Sequence, residues 1–238
     1  MRKMNYLIGT KSNFNLIVSY LLHSIKLKIV KKNRKKFIKN YQNFLNKKKI
    51  TYDFFSRNVF DWFDILKRFK DKKFNYLEIG SFEGNSALFI SEYFKNSNLV
   101  CVDQWKQLYK KDGTKEGYEH FSIDLIEKNF DNNLKDYVSR YTKNKISSDL
   151  FFNENNQWFD IIFVDGSHYA DDVANDCINS WLVLKKNGIL ILDDFFWTGY
   201  DNLENNPAYA INKFLKKIKN EYKIIRLTKF QLFLEKIN

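Results

Sequence analysis

Two runs of four apolar residues, Ile161-Ile162-Phe163-Val164 and Ile189-Leu190-Ile191-Leu192, pass directly into acids, Asp165 in the first case and Asp193-Asp194 in the second. A short unbroken apolar run predicts a strand covered on both faces, as in a parallel sheet held between helices. Residues 75–79 and 99–102 share that character. Between them, 85–94 has helical spacing, and 170–184 sets Val173, Cys177, Ile178, Trp181 and Leu182 on one side of a further helix. The same periodicity marks 121–130 and 58–69, the latter with Val59, Trp62, Phe63, Leu66 and Phe69 on one face. Residues 137–143 are expected as a short strand. Such alternation implies right-handed crossovers and a doubly wound, mostly parallel, Rossmann-like α/β sheet. After a helix over 211–218, the segments 223–228 and 231–236 are joined too tightly for a parallel crossover and are expected to pair antiparallel at the sheet edge. The polar stretch 106–119, with Gly113 and Gly117, is expected as a loop able to close over a substrate.

Charge changes the picture only once it is located. The chain of 238 residues carries a net charge of +12, yet residues 1–50 hold 14 Lys and Arg and no acid, leaving 26 basic against 28 acidic residues elsewhere. The expected organisation is thus a basic helical segment over 1–50 and a near-neutral domain over 51–238, long enough for one full core. From Leu16 to Ile38 apolar residues recur at three- and four-residue spacing, with lysines crowding the second half, which predicts one or two basic amphipathic helices. Three settings fit such helices: packing on their own domain with a solvated lysine face, peripheral contact of 14–38 with an anionic membrane, or a grip on RNA. No stretch reaches the roughly 18 apolar residues of a spanning helix. Residues 14–25 look like the apolar part of a signal peptide, but lysines stand where a cleavage site would be, so secretion is not expected. Cys101 and Cys177 have neither metal nor disulfide spacing. They suit a cytoplasmic setting, with the inner membrane face as the place of any lipid contact.

In an open α/β sheet the ligand crevice lies off the carboxyl ends of the strands, so Asp165, Asp193 and Asp194 are placed to act, and could converge on one metal ion. Strand 75–79 leads into Glu78-Ile79-Gly80-Ser81-Phe82-Glu83-Gly84. Its glycines allow a close backbone approach to a ligand. The spacing Gly80-x-x-x-Gly84 is not a dinucleotide fingerprint, and the acid Glu78 suits a ligand bearing positive charge. Asp103, one strand–helix–strand unit later, stands where an acid would accept from ribose hydroxyls. Taken singly, each of these acids can be explained as a helix or strand cap. No Gly-x-Ser-x-Gly elbow is present for acyl transfer, and Asn206-Pro207-Ala208-Tyr209 is best read as a turn.

The segments 76–86, Val100-Cys101-Val102-Asp103-Gln104-Trp105 and Phe159-Asp160-Ile161-Ile162-Phe163-Val164-Asp165-Gly166-Ser167-His168 together resemble the class I S-adenosylmethionine-dependent methyltransferases. Within that superfamily they look most like O-methyltransferases of the catechol and macrocin type. The resemblance covers about 51–238 and implies a seven-stranded sheet with an antiparallel edge hairpin. It implies that Glu78, Gly80, Ser81 and Gly84 hold the methionine end of S-adenosylmethionine, that Asp103 binds the ribose, that Gln104 and Trp105 flank the nucleoside, and that Ser148 contacts adenine, Ser147 serving nearly as well. Asp165 also borders that cofactor site. Metal-dependent members carry one acid after the fourth strand and an acidic or amide pair after the fifth, a pattern matched here by Asp165 and, 28 and 29 residues later, Asp193 and Asp194. Mg²⁺ is the expected ion, since a hard cation takes oxygen ligands. His168 stands where the catechol-type enzymes carry their basic residue, and an imidazole there could take the acceptor's proton. Those enzymes use lysine, so the position departs from the pattern, and a helix-capping histidine is the competing account.

The expectation is therefore a methyltransferase acting on a small-molecule or sugar hydroxyl with Mg²⁺ assistance, Asp165 and His168 being the catalytic pair. RNA methylation through the basic segment, and a catalytically silent membrane-associated protein of the same fold, are the competing readings. A homo-oligomer stays open.

Overall fold

The computed structural model describes residues 2–109, 115–116 and 122–238. Three helices come first, α1 (Arg2–Gly9), α2 (Phe14–Ile29) and α3 (Lys31–Leu45), followed by α4 (Val59–Leu66). The alternating part runs β1 (Phe74–Ile79), α5 (Asn85–Tyr93), β2 (Ser97–Val102), the short strands β3 (Leu108–Tyr109) and β4 (Lys115–Glu116), then α6 (Ile123–Leu134), β5 (Tyr141–Asn144) and α7 (Ser148–Glu154). It ends with β6 (Phe159–Val164), α8 (Ala170–Val183), β7 (Leu184–Leu192), α9 (Pro207–Lys217), β8 (Tyr222–Leu227) and β9 (Leu232–Lys236). Seven strands form one sheet in the order β5-β2-β1-β6-β7-β9-β8. The first five are mutually parallel, and β9 pairs antiparallel with both β7 and β8. The chain is a doubly wound, mostly parallel sheet with an antiparallel edge pair, as the apolar runs predict.

Period-two alternation divides the central strands between two cores. Leu77, Ile79, Ile162, Val164, Leu190 and Leu192 face α8 and α9, while Tyr76, Ile161, Phe163, Ile189 and Ile191 face α4 and α5. Burial on both sides explains why the strands read as continuous apolar stretches. The first helices belong to these same cores. Leu7 and Leu16 are fully buried on the α8 side, and Tyr41 is fully buried on the other, its hydroxyl donating to Asn85 Oδ1 at 2.8 Å. Helices α1, α2 and α3 are thus packed onto the domain through one face each.

Several details differ from expectation. Residues 135–140 form a 3-10 turn, and β5 starts only at Tyr141. Tyr137 donates to Glu92 and Arg140 donates to the carbonyls of Ser91 and Lys95, so side-chain bonds to the end of α5 win over local strand character. Leu182, expected to face the sheet, is 63% exposed, while Trp181 beside it is buried. The short helices α1 and α7, of 8 and 7 residues, are not among the elements expected from the sequence. The proposed closing loop 106–119 lies largely outside the described residues. No helix among the described residues is long and apolar enough to cross a membrane.

Candidate active site

The carboxyl ends of β1, β2, β6 and β7 open into a cavity of about 730 Å³, within the range that holds a cofactor-sized ligand. β2, β6 and β7 each deliver an acid one step past the last apolar residue, whereas the acid of β1, Glu78, lies within the strand. The ladder continues through that step, because Asp165 N–H donates to Ile79, Asp193 N–H to Val164 and Asp103 N–H to Asn144, at 2.8, 3.0 and 3.1 Å. The acids are therefore held by backbone pairing as well as by their own side chains.

The turn after β1 is tightly wound. Gly80, Phe82 and Gly84 all have positive φ, at 87°, 47° and 78°. At Gly80 a Cβ would lie 2.0 Å from the Asp165 carbonyl oxygen, so the turn passes against the end of β6 with no room for any side chain. Asp103 stitches the turn to β2: its Oδ2 accepts from Phe82 N–H at 2.9 Å and its Oδ1 from Trp105 N–H at 2.7 Å, while the Trp105 indole donates to the Phe82 carbonyl. Burial raises the Asp103 carboxyl above its usual range, and these amides oppose the rise. Asp103→Asn would turn an NH₂ group toward one of those amides, leaving a buried donor unpaired at about 1–3 kcal/mol. The expected result is at least a tenfold weaker calorimetric affinity for S-adenosylhomocysteine with the fold retained, and unchanged affinity would remove Asp103 from the site.

Of the residues expected to hold a cofactor, Gly80, Ser81, Asp103, Gln104, Trp105, Ser148 and Asp165 line this cavity. Glu78 and Gly84 do not. Glu78 is completely buried beneath the turn, where it accepts from the Tyr76 hydroxyl at 2.5 Å. Burial pushes its carboxyl up to about 7, opposed by the hydroxyls of Tyr76, Ser86 and Ser81. Its Oε1 and the Ser81 Oγ have no hydrogen-bond partner at ordinary distance. The Ser81 oxygen, which lines the cavity next to the glycine cradle, fits a ligand bearing an ammonium group, while Glu78, which does not line it, supports the turn from beneath. Gly84 instead clears space for Phe130, which a Cβ would meet at 3.0 Å. Ser147 caps α7, and both Ser147 and Ser148 face the cavity, so the two serines weighed for adenine stay equivalent in position.

Asp165, Asp193, Asp194 and His168 line the other part of the cavity. Burial drives the Asp165 carboxyl well up, Asp193 and Asp194 add to the rise, and Arg57 opposes it. His168 Nε2 lies 2.7 Å from Asp194 Oδ2, and the imidazole stacks on Trp197 with centroids 4.6 Å apart and planes at 14°. Asp193 Oδ2 accepts from the Gln231 amide at 2.9 Å, whose Oε1 accepts in turn from the Trp62 indole at 2.8 Å. Among the described residues, no group of three or more His, Cys, Asp or Glu side chains is set as it stands to hold a metal ion. The three aspartates share a cavity wall but do not form the convergent ligand set expected of them, because Asp194 is turned to His168 and Asp193 to Gln231.

Other lining residues carry no signal in the sequence: Arg57 and the aromatic Tyr52, Phe54, Trp197 and Tyr200 are surface-like residues until the fold places them. Glu83, fully enclosed, accepts from the backbone of Thr51 and Tyr52 and from Asn129, which fixes the strip bearing Tyr52 over the turn. Asp176 also lines the cavity, its carboxyl pushed up to about 7 by burial, against the Ser148 hydroxyl.

Comparison with known proteins agrees with this geometry. A family described as "Methyltransferase domain" matches residues 77–195, half of the chain. An uncharacterised protein of Acanthamoeba polyphaga mimivirus, R132, is 26% identical over 152 residues, covering 62% of this chain and 65% of the relative. Among solved structures, the methyltransferase MycE of the mycinamycin pathway, in complex with Mg, S-adenosylhomocysteine and mycinamycin VI, aligns with a TM-score of 0.57 at 13% identity, over 86% of this chain and 54% of its own. A Staphylococcus aureus protein assigned as a caffeoyl-CoA O-methyltransferase aligns at 0.56 and 16% identity, over 91% and 99%. This chain spans about half the length of MycE and just under two thirds of the mimivirus relative, and at these identities the solved structures speak for the fold alone. The match over half of its length makes this chain a member of the family described as a methyltransferase domain, and its sheet carries the fold of the solved methyltransferases.

Proposed function

We propose that the chain transfers a methyl group from S-adenosylmethionine to a hydroxyl oxygen of a small-molecule or sugar acceptor. The observation that carries this reading is the His168–Asp194 pair standing in the same cavity as the glycine turn and Asp103, so that a base for a hydroxyl proton and the cofactor residues share one enclosure. S-adenosylmethionine, when bound, supplies a methyl group on a positively charged sulfur. The turn 80–84 and Asp103 would position it, and the unpaired Ser81 oxygen lining the cavity suits its charged methionine end.

With the Nε2 proton directed to Asp194, the basic lone pair of His168 sits on Nδ1, and Asp194 stabilises the imidazolium that forms when the acceptor proton arrives. Trp197, stacked on the ring, restricts its rotation. Tyr52, Phe54 and Tyr200 offer flat apolar surfaces against which a sugar or phenol ring can lie while excluding water. Alignment of acceptor and donor in line would supply most of the acceleration.

Asp165, Asp193 and, through the Oδ1 that the His168 contact does not use, Asp194 would hold Mg²⁺ after Asp193 turns from Gln231. The support is the donor set itself, three hard carboxylates on one cavity wall, where burial first and then the charge of Asp193 and Asp194 raise Asp165 and Arg57 opposes the rise. Such an ion would lower the pKa of an acceptor hydroxyl and fix its orientation.

The test is isotopic transfer from labelled cofactor to a panel of catechols, glycosides, amines and RNA, with and without Mg²⁺. Label in a phenolic or sugar hydroxyl is expected, and label only in RNA or amines would overturn the acceptor class. Asp165→Ala is expected to remove at least 100-fold of the Mg²⁺-dependent rate. Turnover that needs no metal and survives this substitution would remove the metal from the reading while leaving methyl transfer in place.

A further inference from the structure

The outward face of α2 is apolar along its whole length. Phe14, Leu21, Leu22, Ile25 and Ile29 are 44–79% exposed. At 100° per residue they fall, with Val18, in one arc of roughly a third of the helix circumference. The opposite face is fully used. Leu16 and His23 are buried, Ser19 Oγ accepts from Leu227 N–H on the sheet-edge strand β8, and Lys26 is paired with Asp64. The exposed stripe therefore cannot turn inward without unpacking the sheet edge. Isolated exposed apolar residues are ordinary, but a continuous stripe four turns long marks an interaction surface.

Charge identifies the partner. The three- and four-residue spacing of the stripe continues from Ile29 into α3 as Lys32, Lys36 and Lys39, all exposed, and Lys28 flanks it. No acid occurs in residues 1–50. A second copy of the chain docking stripe to stripe would press these lysines against one another, and RNA would gain nothing from covering the exposed Leu22 and Ile25. An apolar helix face bordered by lysines matches a bilayer carrying anionic lipid, in which side chains enter the acyl boundary while ammonium groups meet the headgroups.

We infer that α2 and the first turns of α3 form an interfacial anchor that seats this protein on anionic membranes, with the stripe from Phe14 to Ile29 inserted and Lys28, Lys32, Lys36 and Lys39 at the headgroups. The helices lie on the surface and do not span it.

The test is sedimentation of the full chain with vesicles of phosphatidylcholine alone or with about one third phosphatidylserine. Binding is expected to the anionic vesicles only, and to weaken as salt is raised. A Leu22→Asp, Ile25→Asp double variant should lower partitioning at least tenfold, and Lys32→Glu, Lys36→Glu should do likewise. Both variants lie on the solvent face, and unchanged thermal unfolding and S-adenosylhomocysteine affinity would establish that they are folded. Equal binding to both vesicle types, or none to either, overturns the anchor. So does a dimer in sedimentation equilibrium that Leu22→Asp, Ile25→Asp dissociates, or binding to a mixed RNA that matches vesicle binding and survives those two substitutions.

Discussion

Gly80→Ala is expected to lower the unfolding temperature by roughly 6–12 °C and to abolish calorimetric binding of S-adenosylhomocysteine. Two effects add. At φ 87° an alanine is held where L-residues pay about 1–2 kcal/mol, and its Cβ would sit 2.0 Å from the Asp165 carbonyl oxygen. That oxygen belongs to backbone fixed by the ladder between β1 and β6, so no side-chain rotation relieves the overlap. A total of at least about 3 kcal/mol, at 2–4 °C per kcal/mol for a chain of this size, gives the stated range. Gly84→Ala is the informative control. Its φ is similarly positive, but the Cβ would meet the Phe130 ring, which can tilt away, so the loss should be smaller. A Gly80→Ala protein with wild-type stability and affinity would show that the turn does not run where the structure has it.

His168→Ala is expected to reduce kcat by about 10²–10⁴-fold, the usual worth of a positioned base, with KM and cofactor affinity within a few-fold of wild type. The acid limb of the kcat–pH profile should vanish with it, because only the neutral imidazole can accept the acceptor's proton. Trp197→Ala should give a milder version of the same change by freeing the ring, and Trp197→Phe should restore most of the loss by restoring a flat partner. A histidine that merely caps α8 would behave differently: stability would fall, and the pH profile would keep its shape. A kcat within threefold of wild type in a stable His168→Ala protein would end the assignment.

The sheet was legible because burial on both faces leaves its central strands almost wholly apolar, Glu78 in β1 being the exception. The site was legible for a related reason, since a charged residue directly after an apolar run has to lie at a strand end. Contacts made across the fold were not legible. Trp197 reads as one more aromatic in a loop, yet its backbone and ring bring it flat against His168. Arg57 follows an unremarkable serine, and only packing of α4 against the sheet brings it toward Asp165. The same limit explains the metal ligands. Spacing along the chain puts Asp165, Asp193 and Asp194 on one wall, but which way each carboxylate turns depends on Gln231 and His168, one of them 38 residues beyond Asp193. Tyr137 and Val138 have strand-forming side chains, and the bond from Tyr137 to Glu92 decides otherwise.

The Tyr6 hydroxyl donates to the Trp197 carbonyl at 3.1 Å, and Tyr6 and Tyr20 both pack on Phe196. Deleting the opening helices would consequently unseat the shelf beneath His168, and turnover would drop for a reason unrelated to lipid. A shortened protein that proves inactive therefore says nothing about where the enzyme works, and single exposed side chains are the proper instruments for separating address from chemistry.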